Sequence, residues 1–470
     1  MMKTKLLLVT VFGLSIASCS MIPDFIRPDF SAAGQWDTMP DYITPQGEIA
    51  ARNLRWDEYF ISEELKYLIG IALQNNNDLA IATLNIEEAR AIYGIQRSEL
   101  LPSVNVNGGA TLQNSSDASV ATGQAVRSDI YSANLGISSY ELDLFGRVRS
   151  LSEAALNDYL ATETARETVK NALIAETANA YLTYLADIKL LRLTEKTLQA
   201  QQDTYNILNQ SLEVGTVTKL DVSRAETAVR TAEVNMHLYR RLVEQDKNAL
   251  YLLLGVPHNS VELPQIDMAS IAFRASLNPE TPSEVLLSRP DIRQAEYELK
   301  SANADIGAAR AAFFPRISLT GTYGYASDDL SGLFSSSAFG AWSFIPQITV
   351  PIFTAGRNKT NLKLAELRQE REVVQYERAI QTAFQEVADE LAARTTLEEQ
   401  SKAQEKLLNA ARSVYNISNE RYKSGIDSFL SVLDSQRELY TAEQETINLE
   451  RQRLMNLVNL YRVLGGGEKR

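Results

Sequence analysis

The chain has 470 residues, with 46 Lys and Arg against 59 Asp and Glu and a formal net charge of −13. That acidic balance argues against a phosphate-binding surface, so no nucleic-acid partner is expected. Two histidines, His237 and His258, and one cysteine, Cys19, exclude a disulfide framework or a multi-cysteine metal centre, and no metal or cofactor is expected. No run reaches the roughly 18–20 apolar residues that a transmembrane helix needs.

At the N-terminus, Lys3 and Lys5 precede an apolar stretch from Leu6 to Ala17. This is the pattern of a secretory signal, too short to span a bilayer. Ala17 and Ser18 stand directly before Cys19, an arrangement that resembles the lipobox of bacterial lipoproteins. The likeness implies removal of residues 1–18 and lipidation of Cys19, palmitate included. Two or three acyl chains, at about 0.8 kcal/mol per buried methylene, anchor an N-terminus stably. Ser20 is not the Asp that often signals inner-membrane retention, which points to the outer membrane. Residues 19–75 read as an N-terminal anchor and a segment that is loop-like through Pro23, Pro28, Pro40 and Pro45.

The rest of the chain is an internal duplication. Residues 147–214 and 357–424 are each 68 residues without Gly or Pro, ending at Gly215 and Gly425. Each is followed by a 39-residue run of the same kind, 216–254 and 426–464, ending at Gly255 and Gly465, with an offset of 210 throughout. Repeat 1 is read as 76–256 and repeat 2 as 289–466. A proline-punctuated linker, 257–288, joins them, and 467–470 form a tail. The long runs are rich in Ala, Leu, Glu, Gln, Lys and Arg, which are good helix formers. At 1.5 Å per residue each makes a rod of roughly 100 Å. Leu173, Tyr181, Tyr184, Ile188, Leu191 and Leu198 recur at three- and four-residue spacing, a stripe that must pack on other helices.

Between the shorter helix of each repeat and its first long helix lie two stretches of period-two pattern, at about 103–113 and 130–142, and again at 316–326 and 341–353. Val104 and Val106 alternate with Asn105 and Asn107; Tyr131, Ala133, Leu135 and Ile137 alternate with Ser132, Asn134 and Gly136. Ile317, Leu319, Tyr323 and Tyr325 alternate with Ser318, Thr320 and Thr322, and Trp342, Phe344, Ile348, Val350 and Ile352 with Ser343, Gln347 and Thr349. Such segments are the signature of a transmembrane β-barrel, apolar outside and polar inside. Pro346 and Pro351 predict a bulge or an irregular end in the fourth strand. Four strands cannot close a barrel, and lipid does not tolerate an open edge. Three copies would supply twelve strands.

Several stretches are similar to one known family, the TolC/OprM-like outer-membrane efflux factors in their lipoprotein branch. They are Leu73-Gln74-Asn75-Asn76-Asn77-Asp78-Leu79, Arg289-Pro290-Asp291-Ile292, the run from Ile306 to Pro315, and Arg421-Tyr422-Lys423-Ser424-Gly425 followed by Leu430, Val432-Leu433-Asp434 and Arg437. The resemblance implies a mixed α and β membrane protein: a homotrimeric twelve-strand outer-membrane barrel continued by a periplasmic α-helical barrel. It implies the exit duct of a tripartite pump serving multidrug resistance. The partners would be a periplasmic adaptor (a membrane fusion protein) and an inner-membrane transporter of the resistance–nodulation–division class.

By the same resemblance, the helix after Gly425 lines a periplasmic constriction, with Leu430 and Asp434 on one face as the gate. An apolar ring resists wetting, and a carboxylate ring selects cations. Arg421, Tyr422 and Arg437 resemble the residues that lock the closed state, with Asp203 and Asp221 as candidate acceptors. The turns, with Gly215, Thr216, Gly425, Ile426 and Asp427, are the expected adaptor contacts, and docking there would open the helix ends like an iris. From spacing alone, Asp434 and Arg437 also read as an ordinary solvated i,i+3 pair.

Two rival readings are weighed against the duct. An enzyme finds no support, because neither histidine stands in a nucleophile–base arrangement and no phosphate-cradling glycine loop appears. A lipid-anchored coiled-coil spacer explains the helices but not the four strands at matched positions.

Overall fold

A computed structural model describes residues 20–28, 49–50, 54–115, 126–274, 277–278, 289–335 and 339–466. The signal segment, Cys19 and the C-terminal tail lie outside the described residues. In chain order the elements are β1 (Ile49–Ala50), α1 (Trp56–Tyr59), α2 (Glu63–Asn75), α3 (Asn77–Ser98), β2 (Val104–Ser115), β3 (Val126–Leu142), α4 (Arg147–Glu213) and α5 (Lys219–Leu254). They continue with β4 (Leu277–Asn278), α6 (Pro290–Ala311), β5 (Arg316–Ser327), β6 (Phe339–Thr349), α7 (Arg357–Lys423) and α8 (Phe429–Val463).

Left-handed backbone punctuates this order in pairs. Among the described residues, the glycines with positive φ are Gly146 and Gly356, Gly215 and Gly425, and Gly255 and Gly465, each pair offset by 210. The last four end helices in the same way. In each, the glycine N–H bonds back three residues and the next N–H bonds back five, as from Gly215 to Leu212 and Thr216 to Ser211, and from Gly425 to Tyr422 and Ile426 to Arg421. This double closure satisfies carbonyls that a helix end leaves open, and its left-handed residue suits glycine. α4 and α7 are each 67 residues long, because nothing between the glycines interrupts the ladder.

The chain divides into two units. The first contains, among the described residues, 20–28, 85–163 and 294–376, and so holds the sheet. Its strands are all antiparallel, in the order β2-β3-β5-β6. Each repeat contributes a hairpin, and the hairpins meet at β3 and β5.

Residues directly opposite on neighbouring strands share a face. Val106 pairs with Leu135, Leu135 with Tyr323 and Tyr323 with Trp342, so one face is apolar across all four strands. On the other face, Asn105 pairs with Gly136, Gly136 with Thr322 and Thr322 with Ser343. Val106, Tyr323 and Trp342 are 79%, 67% and 76% exposed, so nothing among the described residues covers the apolar face. Among the described residues no helix is long and apolar enough to cross a membrane.

The structure moves the expected bulge. β6 runs unbroken through Pro346, opposite Leu319, and stops at Thr349, just short of Pro351. Pro346 is tolerated because β6 is an edge strand of the sheet and pairs on one side only. The irregularity falls in β3, between Ile137 and Tyr140, where Ser139 takes a φ of 53°. Its extra residue hands the apolar face from odd positions to even ones, so Tyr140 and Leu142 still oppose Leu319 and Ile317. Glu141 therefore falls on the polar face, where it accepts two hydrogen bonds from Arg147, at 2.8 and 2.9 Å, and pairs with Arg316 at 2.6 Å.

The second unit, residues 54–84, 164–274, 289–293 and 377–466 with the short β1–β4 pair, holds the main core. Tyr59 stacks on Tyr461 at 4.5 Å; their hydroxyls donate to the carbonyls of Leu457 and Leu54, both at 2.9 Å. The motifs that carried the family resemblance are joints here. Asn76 caps α3 through the Leu79 N–H and donates to the last turn of α5 at the Leu253 carbonyl. Buried Arg289 donates to the Val463 carbonyl at the end of α8 and pairs with Asp291 and Glu386, both at 2.7 Å.

Two predictions follow from these units. A Cβ on Gly255 would collide with the Asn75 carbonyl, whereas one on Gly215 would meet open space. Gly215→Ala should cost only the left-handed strain of about 1–2 kcal/mol, while Gly255→Ala adds overpacking of about 1–3 kcal/mol. Thermal unfolding in detergent compares them, and the midpoint should fall further for Gly255→Ala. The second concerns a buried acid pair. Burial first, then the neighbouring Asp187, push the Asp246 carboxyl up to about 7, against the opposing pull of Arg451. A folded-state pKa raised above the unfolded value means that stability is lost as pH rises from the ordinary carboxylate range toward 7. Asp246→Asn should flatten the fall in unfolding midpoint between about pH 5 and 8.

Candidate functional site

The turns at Gly215 and Gly425 close the α4–α5 and α7–α8 hairpins, and both lie in the second unit. Their side chains form a small apolar core separate from the main one: Leu208 from α4, Val222 and Ala225 from α5, and Phe429, Val432 and Leu433 from α8. Tyr422 packs against it, its ring 5.7 Å from that of Phe429. The helical spacing of 429, 432 and 433 assigns that face of α8 to packing.

The two turns share a backbone but differ in chemistry. In the α4–α5 turn, Thr218 caps α5. Its hydroxyl donates to Asp221 at 2.6 Å, and its N–H donates to the same carboxylate at 3.1 Å. The Asp221 N–H donates back to the Thr218 hydroxyl at 3.3 Å, completing a capping box. The α7–α8 turn ends at Ser428, the N-cap of α8, whose side chain makes no cap bond. It is held instead by Arg421, which grips Asp427 with Nε at 2.7 Å and Nη2 at 3.0 Å. The hydrogen bond from Arg421 holds the Asp427 carboxyl below the usual carboxylate range.

The candidate lock residues are therefore distributed differently within the chain. Arg421 pairs with Asp427, not with Asp203 or Asp221. Asp203 accepts from Gln199 at 2.9 Å, and Asp221 serves its own cap. Tyr422 feels the charge of Asp221 across the repeats: burial first, then the Asp221 carboxylate, raise the Tyr422 hydroxyl above its ordinary value. Leu430 and Asp434 lie off the packed face, and both are exposed. Asp434 sits 4.0 Å from Arg437, the i,i+3 pair that spacing alone suggested. Of the turn residues, Ile426 is 63% exposed.

The Arg421–Asp427 pair and the apolar seat of Phe429 were not read from sequence. The signal for the pair was present, since the two residues bracket the left-handed Gly425. The Thr218–Asp221 box was equally legible as Thr-x-x-Asp ahead of a helical run.

Comparison with known proteins places this geometry. The family described as outer membrane efflux protein matches residues 68–256 and 281–466, one match over each repeat. The chain is 45% identical over 469 residues to a probable efflux pump outer membrane protein, TtgC, of Pseudomonas putida, covering 99% of this chain and 96% of that one. It is 41% identical over 458 residues to outer membrane protein OprJ of Pseudomonas aeruginosa, covering 97% and 95%. Among solved structures, the open state of the MtrE outer membrane channel of Neisseria gonorrhoeae is similar, with a TM-score of 0.86 and 40% identity over 96% of this chain and 98% of that one. The fold expected from the resemblance is thus met, and the spacer reading is set aside. The chain belongs to the outer membrane efflux protein family: it is the outer-membrane channel of an efflux pump, extends into the periplasm, and is not an enzyme.

Proposed function

We propose that three copies of the chain close into one duct whose periplasmic end is a gate. The observation that carries this reading is the four-stranded sheet with an uncovered apolar face and two free edges, β2 and β6. Each unpaired backbone group in hydrocarbon costs several kcal/mol, so the edges must find partners, and identical chains supply them. Twelve strands then form a barrel with the Asn-, Ser- and Thr-bearing face toward water. The mature chain begins at an acylated Cys19, which adds a second hold on the bilayer.

The partners are a periplasmic adaptor, which meets the turns at Gly215, Thr216, Gly425, Ile426 and Asp427, and an inner-membrane transporter of the resistance–nodulation–division class. Specificity belongs to that transporter. Similar proteins are described as exporting antibiotics, toluene and other solvents, which supports small, largely apolar cargo here.

The free face of α8 would set a ring of Leu430 next to a ring of Asp434. The Arg421–Asp427 pair steadies the turn behind that face. Adaptor docking exchanges this exposed pair for intermolecular contacts and lets the helix ends spread, a shift between two packings. Because the folded-state pKa of Asp427 is depressed, the pair is intact above the ordinary carboxylate range and is lost as pH falls through the depressed value.

Planar-bilayer conductance tests the gate. The native protein should give small, cation-selective currents. Asp434→Ala should lose cation selectivity, Leu430→Ala should raise the current several-fold, and Arg421→Ala should raise the open fraction. Large native currents unaltered by all three substitutions would place the constriction elsewhere.

A further inference from the structure

The first described residues, 20–28, lie along one face of α6 and meet it at four successive positions. Gly307 receives Ile22: a Cβ there would stand 2.6 Å from the Ile22 Cγ1 and 2.9 Å from its Cα. Asn303, buried, donates through Nδ2 to the Pro23 carbonyl at 2.8 Å. Lys300 places its ammonium 5.4 Å from the centre of the Phe25 ring and 5.0 Å from that of Tyr297. Arg27 donates to both oxygens of Glu296 at 2.8 Å. Positions 296, 300, 303 and 307 are spaced by four, three and four residues, so they form one stripe of the helix. The segment descends that stripe antiparallel to α6 as its own numbers rise.

The contact is built for this segment. In repeat 1 the counterpart of Gly307 is Gly94, where an added Cβ would meet nothing within 4 Å. On the same stripe of α3, Arg90 turns to Glu87 and Tyr159 of its own repeat. The duplication supplies two such helix faces, and the single N-terminus occupies the one on α6. Cys19 directly precedes this segment in the sequence. α6 ends at Ala311, one turn beyond Gly307, and β5 starts at Arg316.

We propose that residues 20–28 are a docking strap that fixes the acylated end of the chain against α6. The lipid then enters the bilayer beside β5 of its own protomer and holds that protomer in place while the barrel closes. The strap rests on the acylated trimer described above. Its role is positional: acyl chains alone would tether the chain at the length of a loose linker, whereas about three helical turns of contact set their distance from the sheet.

The full-length protein in outer membranes tests this through Arg27→Glu, Glu296→Arg and the double exchange. Palmitate labelling follows acylation, chymotrypsin cleavage after Phe25 follows docking, and the heat-modifiable trimer band follows assembly. Each single variant should take up palmitate normally, be cut at least about tenfold faster and show a reduced trimer fraction. The double exchange should recover part of both readouts, since Glu296 also pairs with Lys300 at 2.8 Å and that pair is lost. Single variants cut at the native rate, or a double exchange no better than its parents, would overturn the docking. Faster cleavage with an unchanged trimer fraction would overturn the assembly role. Absence of label or trimer in the native protein would count against acylation or trimerisation, and the cleavage rates would still decide the docking.

Discussion

Unpaired backbone groups at the edge of a lipid-facing sheet are the constraint on which the rest of this protein depends. A sheet whose apolar face is continuous from Val106 to Trp342 has hydrocarbon as its natural environment, and hydrocarbon offers nothing to a free N–H or carbonyl. The chain carries too few strands to solve this alone. Its local features keep the face intact. The bulge in β3 restores the phase of the apolar positions and puts Glu141 on the wet face, between two arginines. Pro346, which lacks a donor, sits on an outer strand where one side of the ladder is free in the single chain.

The second theme is what duplication preserves and what it releases. The left-handed glycines at 215 and 425, and at 255 and 465, keep the same hydrogen-bonded closure in both repeats, because that backbone cannot drift without losing carbonyl partners. Side chains on the same scaffold have diverged. One tip is secured by a local capping box, the other by an ion pair between Arg421 and Asp427 that is exposed to solvent. Exposed pairs are weak and screened by salt. Weakness is what the proposed gating needs of this pair, whereas the buried Arg289 ties the end of α8 to Glu386 of α7.

How much of this was legible in the sequence depended on whether the governing interaction is local. The long helices and their ends are written in glycine spacing, and the observed ends fall within a few residues of the glycines. The strand faces are written in period two. The prolines marked the end of β6 before Pro351, whereas the bulge in β3 was not read, because Ser138 and Ser139 carry no compositional sign of an extra residue. Asn76 and Arg289 stood out as motif residues, but their roles as joints need partners 177 and 174 positions away. The Arg421–Asp427 pair was hidden for the opposite reason: Asp427 is so close in sequence to Arg421 that it reads as part of the turn.

Barrel closure by neighbouring copies is the central claim, and cysteine cross-linking across the free edges tests it most directly. One cysteine in β2, at Asn107, is combined with single cysteines at Ser343, Ile345 and Gln347 in β6, each compared with the parent chain, whose only cysteine is Cys19. The account predicts that at least one combination gives, on oxidation in the membrane, a denaturing-gel ladder that ends at three linked chains. No linkage in any combination, or a ladder that stops at two or continues past three, would contradict it.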